Sequence, residues 1–182
     1  AFGSQAMAVQ AKRPRVAAVF TVFRFRSHAY DILENFIHPY LFCGEKVDPG
    51  VELVSMYADQ LPADDMARDV SKKFGIPLYG SVDEALCRGK QQLDVDAVLL
   101  IGEHGDYPYN ELGQHMYPRK RLIDEIVAVM KRSNRFVPMF NDKHLSYRWD
   151  WAKEMVDTAK SLGIALQAGS SVPLASRRPM LE

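Results

Sequence analysis

The chain has 182 residues, 47% of them hydrophobic and 25% charged, which is enough to bury a real core and makes one compact α/β domain the natural count. Its 23 basic and 23 acidic side chains balance, so no global field draws it to nucleic acid or to an anionic membrane surface. No apolar run approaches the roughly 20 residues that a bilayer-spanning helix needs, and no integral membrane role is expected.

From the N-terminus, residues 1–14 read as a disordered leader. Val9-Gln10-Ala11 has the small-x-small look of a signal-peptidase site, but a charged n-region and a long apolar stretch are both missing. The compartment expected is the cytoplasm, with export to the periplasm as the alternative. Residues 15–19 then read as a buried opening strand, and 28–41 as a helix, with a turn-rich loop at 43–50. A second strand covers 51–58, with Asp59 at its carboxyl end. Asp64 or Asp65 caps a helix carrying Met66, Ala67, Val70 and Phe74 at three-and-four spacing, and Gly75 and Pro77 stop it.

A short third strand at 77–80 leads into Ser81-Val82-Asp83-Glu84, a capping box that starts another helix. The nearly unbroken apolar run at 96–101 is the fourth strand, suited to the centre of a two-sided parallel sheet. Helices at 119–132 and 147–162 flank a fifth strand at 136–140, where Pro138 argues for an edge or a strand end, and residues 164–168 form a sixth. Trp149 and Trp151 read as packing residues of the last helix. The two cysteines, Cys43 and Cys87, lack zinc or C-x-x-C spacing and read as buried or partly buried thiols. This alternation predicts a three-layer Rossmann-like fold, a mostly parallel twisted sheet with helices on both faces.

The first turn is unusual. A dinucleotide-binding turn uses glycines for its tight geometry, for close approach of backbone N–H groups to pyrophosphate, and for helix–strand packing. Here Phe20, Val22 and Phe25 stand at those places. Arg24 and Arg26 are read as exposed, alternating with inward Phe23 and Phe25, although guanidinium groups also offer a way of gripping phosphate.

Residues 16–28, VAAVFTVFRFRSH, resemble the opening V-G-I-I-G-T-G-F-R-G-R-G-H of the glucose-fructose oxidoreductase, inositol dehydrogenase and rhizopine-catabolism (Gfo/Idh/MocA) family. Thr21, Phe23, Arg24, Arg26 and His28 are kept and the glycines lost. Lys72-Lys73-Phe74-Gly75-Ile76-Pro77 resembles the family's K-F-G-I-P helix end, and Asp94-Val95-Asp96-Ala97-Val98 its V-D-A-V strand. Phe140-Asn141-Asp142-Lys143-His144 stands in place of its E-K-P motif, with aspartate for glutamate and histidine for proline. The resemblance covers about residues 15–172.

What it implies is a Rossmann domain, placed at 15–174, for NAD or NADP, with Thr21, Phe23, Arg24, Asp59, Glu103 and His104 against the cofactor. Asp59 favours NAD, since a carboxylate there accepts ribose hydroxyls and repels a 2′-phosphate, although a turn or capping role is the alternative. Lys143, aided by Asp142 and His144, is the catalytic expectation: it would hold a substrate hydroxyl or polarise a carbonyl during hydride transfer. The activity implied is oxidation or reduction of a hydroxyl-bearing small molecule such as a sugar or cyclitol. The rival is a degenerate Rossmann domain that binds no dinucleotide and acts as a scaffold or binding module. No metal is expected, because Glu111 and His115 match no zinc signature. His28 is expected to be structural. Family members add a C-terminal domain that mediates oligomers, so residues 175–182 read as a tail or the start of such a domain, with a homo-oligomer as the assembly.

Overall fold

A computed structural model describes residues 12–169. The leader expected at 1–11 and the segment from residue 170 onward lie outside the described residues. Six strands form one sheet in the order β5-β4-β1-β6-β7-β8, every neighbouring pair parallel. They are β1 (Arg15–Phe20), β4 (Glu52–Ala58), β5 (Leu78–Tyr79), β6 (Ala97–Ile101), β7 (Met139–Asp142) and β8 (Leu166–Gly169). A hairpin of β2 (Tyr40–Phe42) and β3 (Glu45–Val47) stands apart from it. The order is that of a Rossmann-like sheet, which reverses direction between β1 and β6.

Helices cover both faces. On one, α1 (His28–Ile37) and α2 (Ala67–Phe74) bury Leu33, Ala67 and Val70 against Val16, Ala18, Phe20, Leu99 and Ile101. On the other, α3 (Val82–Cys87), α4 (Arg119–Arg132) and α5 (Trp149–Ser161) bury Leu86, Ile126, Met130 and Met155 against Ala17, Val19, Val98 and Leu100. Alternate residues of β1 thus serve opposite cores, which is why the strand reads as one apolar run. Among the described residues no helix is long and apolar enough to cross a membrane.

Local chemistry explains most boundaries. Ser81 Oγ accepts the Glu84 N–H at 3.1 Å, while the Glu84 carboxylate reaches back to the Gly80 N–H, also at 3.1 Å. Gly75 ends α2 at φ 67°, the left-handed value that glycine takes without a Cβ penalty. The cap position of α2 is Met66 rather than Asp64 or Asp65, and Asp65 just before it accepts the Ala67 N–H at 2.8 Å.

Several expectations need correction. Helix α1 stops at Ile37 rather than Leu41, because Pro39 disfavours helical backbone at His38, which adopts ψ 154°. The expected loop is part of the hairpin, whose turn residues Cys43 (φ 50°) and Gly44 (φ 83°) both lie in the left-handed region that two-residue hairpin turns require. Cys43 is therefore exposed, while Cys87 is buried, and both are free thiols. β7 is interior. Pro138 lies just before it and needs no N–H, since its carbonyl accepts from Val98 at 3.0 Å. Trp149 is 81% exposed and does not pack in the core. Phe25, expected to face inward, is 65% exposed, and Arg26 lies over its ring.

The amino end of β1 is fixed by charge. Arg15 binds Asp94 at 2.7 Å and Asp96 at 3.1 Å, and Arg135 binds Asp96 at 2.6 Å. Lys90 and Arg15 hold the Asp94 carboxyl down at about 2, and Arg15 holds Asp96 well below the ordinary carboxylate range. Depressed folded-state values stabilise the fold above the ordinary carboxylate value of 3.8, and that contribution is lost as pH falls from there through about 2. Urea midpoints should drop across this window, and Arg15→Met should flatten the drop.

Candidate functional site

In open α/β sheets ligands collect beyond the carboxyl ends of the strands, near the reversal of strand order. The loops after β1, β4, β6 and β7 all emerge at this edge. They divide into a half where the protein has filled the space with its own groups and a half where polar side chains gather.

The filled half is where a dinucleotide would sit. Phe20 and Val22 are fully buried, so their side chains occupy the space that glycines would leave open. The Phe23 N–H donates to Asp65 Oδ2 at 2.6 Å, and the Arg24 N–H to Ser27 Oγ at 3.1 Å. Arg24 itself pairs with Asp64 at 3.0 Å. Phe23, expected to touch cofactor, is buried and packs edge-on to Phe20 and Tyr30.

Asp59 lies just beyond β4 as expected, but it is already engaged. It accepts from the Tyr57 hydroxyl at 2.9 Å, the Tyr107 hydroxyl at 2.6 Å and Arg121 at 2.6 Å. Burial works to raise its pKa, but Tyr107, Arg121 and Tyr57 outweigh it and hold the carboxyl below its ordinary range. Gln60 fastens the same segment through two 2.8 Å bonds to the Asp106 backbone. The residues present fit a dinucleotide poorly in the usual pose: the Phe23 N–H faces a carboxylate, and Asp59 already accepts three hydrogen bonds.

The polar half lies over β1, β6 and β7. Thr21 is buried, and its hydroxyl donates to the Glu103 carbonyl at 2.5 Å, tying the first turn to the loop after β6. The Glu103 carboxylate takes a salt bridge from Arg119, which is 1% exposed and also lies over the Tyr117 ring at 5.0 Å. Burial pushes the Arg119 guanidinium down, opposed by Glu103. Arg119 Nη1 stands 3.3 Å from His144 Nε2, and burial together with the Arg119 charge lowers His144.

At the end of β7 the His28 ring meets Asp142 Oδ2 through Nδ1 at 2.6 Å. An ionised carboxylate only accepts, so Nδ1 carries the proton and Nε2 is left for another partner. His104 packs on this ring, with centroids 5.3 Å apart. Asn141, fully buried, donates to the carbonyls of Asp142, Lys143 and His144 and folds their turn. A groove of about 390 Å³ bordered by Ile32, Phe36, Leu99, Phe140 and Gln167 opens beside Asp142.

The structure thus gathers Thr21, Glu103, His104, Asp142, Lys143 and His144 into one region and sets Asp59, Phe23 and Arg24 into structural contacts. Sequence reasoning missed Arg119 and Asn141 and read His28 as structural. Gly102 carries a faint signal for Arg119, since a Cβ there would lie 2.7 Å from Arg119 Cγ.

No protein-family model and no curated protein sequence matches the chain. Its fold has solved counterparts, dehydrogenases of the type that the sequence motifs resemble. Apo scyllo-inositol dehydrogenase from Lactobacillus casei is 12% identical with TM-score 0.55, over 92% of this chain and 38% of that one. Biliverdin reductase from Synechocystis sp. PCC 6803, solved with biliverdin and NADP+, is 15% identical with TM-score 0.55, over 89% of this chain and 39% of its own. UDP-N-acetylglucosamine 3-dehydrogenase from Acidithiobacillus ferrooxidans is 11% identical with TM-score 0.54, over 87% and 38%. This chain spans less than two-fifths of those structures. The shared architecture is the Rossmann-type domain of Gfo/Idh/MocA-type dehydrogenases, and at these identities the likeness is one of fold.

Two substitutions probe the two halves. Asp59→Ala should destabilise the domain by about 2 kcal/mol in urea titration, by stripping three donors of their acceptor; unchanged stability would assign the carboxylate to ligand alone. Gly102→Ala should cost about 1–3 kcal/mol in thermal unfolding by overpacking against Arg119.

Proposed function

We propose that the chain is a Rossmann-type domain that does not bind a dinucleotide at its first turn and holds a small molecule at the carboxyl ends of β1, β6 and β7. One observation carries this reading. Both anchor points of a dinucleotide are satisfied from within, the Phe23 N–H by Asp65 and the Asp59 carboxylate by Tyr57, Tyr107 and Arg121. Displacing them would break several charge-assisted hydrogen bonds, each of about 1.5–3 kcal/mol. Among the described residues the polar half has no such internal plug, and Lys143, His104 and Nε2 of His28 are its available groups.

A second reading, an NAD(P)-dependent oxidoreductase acting on a hydroxyl-bearing small molecule such as a sugar or cyclitol, is favoured by the fold likeness to dehydrogenases. On it, Tyr107 and Arg121 release Asp59 to the ribose of NAD, Thr21, Glu103 and His104 meet the cofactor, and Lys143 holds the substrate oxygen beside Asp142 and His144. A second, substrate-binding domain and a homo-oligomer belong to this reading as well.

NADH titration followed by nicotinamide fluorescence and calorimetry separates the two. The leading reading expects no saturable binding up to millimolar NADH. Micromolar binding that Asp59→Ala weakens would overturn it in favour of the oxidoreductase.

A further inference from the structure

Three adjacent strands end in loops that each force one basic residue into left-handed backbone: Arg26 after β1 (φ 61°), His104 after β6 (φ 69°) and Lys143 after β7 (φ 64°). The other non-glycine residues of this kind among the described ones are Cys43 in the hairpin turn, Arg88 at the C-cap of α3 and Asn134 just past α4. Turns and helix ends are ordinary places for that geometry. Arg26 too sits in a turn, closed by the Ser27 N–H to the Arg24 carbonyl at 2.9 Å, whereas at the other two strand ends such a residue costs roughly 1–2 kcal/mol and persists only where its surroundings impose it. At Lys143 the surroundings do so, through its N–H to the Gly169 carbonyl at 2.8 Å and the Asn141 amide at its carbonyl.

The two carboxylates of this cluster are already paired. Glu103 is taken by Arg119 and Asp142 by His28. Among the described residues no carboxylate lies within 4.0 Å of the Lys143 ammonium, and the His104 ring has no hydrogen-bond partner. Burial lowers His104, and the charges of His28, Lys143 and Arg24 lower it further against the opposing pull of Glu103. One buried donor here also lacks a partner among the described residues, Arg119 Nε. The His28 and His104 rings lie together, centroids 5.3 Å apart, with the Lys143 ammonium near enough for its charge to act on His104.

We infer that the loops after β1, β6 and β7 form a receptor for a small oxyanion, a carboxylate or a phosphate, held by Lys143, His104 and the Nε2 of His28. Asp142 is a positioning residue: by accepting from Nδ1 it turns the other nitrogen of His28 away from itself and leaves it for the ligand. The inference rests on the leading functional reading, since it places the ligand of that same site.

The test uses the full chain at constant ionic strength, with histidine ring signals followed by NMR during separate titrations of inorganic phosphate and malonate. Saturable binding at millimolar concentration or tighter, with the His28 and His104 signals shifting together, is expected. Saturation by phosphate alone or by malonate alone supports the site and identifies the source of the oxyanion. Lys143→Gln should weaken binding about tenfold or more and Lys143→Arg should largely restore it, while Lys153→Gln on α5 should leave it unchanged. His104→Asn, which tolerates left-handed backbone, should weaken it without unfolding the loop. No saturation by either anion at tens of millimolar, or equal affinity in Lys143→Gln, overturns the proposal. NADH that binds at micromolar concentration while malonate still saturates would instead remove the functional reading and leave the oxyanion site standing.

Discussion

A guanidinium buried almost completely at the sheet's carboxyl edge organises the polar half of this domain. Arg119 enters from the start of α4, pairs with Glu103 after β6, lies over Tyr117 and reaches His144 after β7. A lone buried charge would be prohibitive, so the Glu103 pairing is a condition for folding here rather than an ornament. Because Glu103 is also bonded through its carbonyl to Thr21, the same contact links the loops of all three central strands. Small shifts in any of these loops are resisted by the others.

The half around the first turn follows a different logic, in which the Phe23 N–H, Arg24 and Asp59 all have partners within the protein. Phe20 and Val22 turn an open cradle into core, and a fully buried Phe side chain contributes about 1.5–3 kcal/mol relative to an exposed one. The segment between β6 and α4 is fastened down by Tyr107 and by the Gln60 bonds to Asp106. The protein keeps the sheet order of a nucleotide-binding domain while converting half of its mouth into structure.

Much of the scaffold was legible because its signals are local. The two-sided burial of β1, the capping at Ser81 and the glycine stop at Gly75 each lie within a few residues of what they determine. Pro39 was as local a signal and its effect on His38 was the one overlooked. The site was less legible, since its contacts join residues that no periodicity relates. His28 looks like a residue at a helix start until Asp142, 114 positions away, is brought to its ring. Asp59 was placed correctly at the end of its strand, yet its bond to Arg121 spans 62 positions. Arg119 gave only the pattern of an amphipathic helix, because nothing in its neighbourhood says that the first turn of α4 is buried.

The carboxylate of Asp65 has a further consequence, best put as a concentration. It caps the Ala67 N–H with one oxygen and the Phe23 N–H with the other, so it is a tethered anion held against the turn. A carboxylate held in place by the fold and by a second hydrogen bond acts at a high effective concentration. Any phosphate in solution would have to outcompete that internal supply before it touched the turn. The turn thereby carries its own anion in an architecture whose first turn ordinarily takes a phosphate from solution.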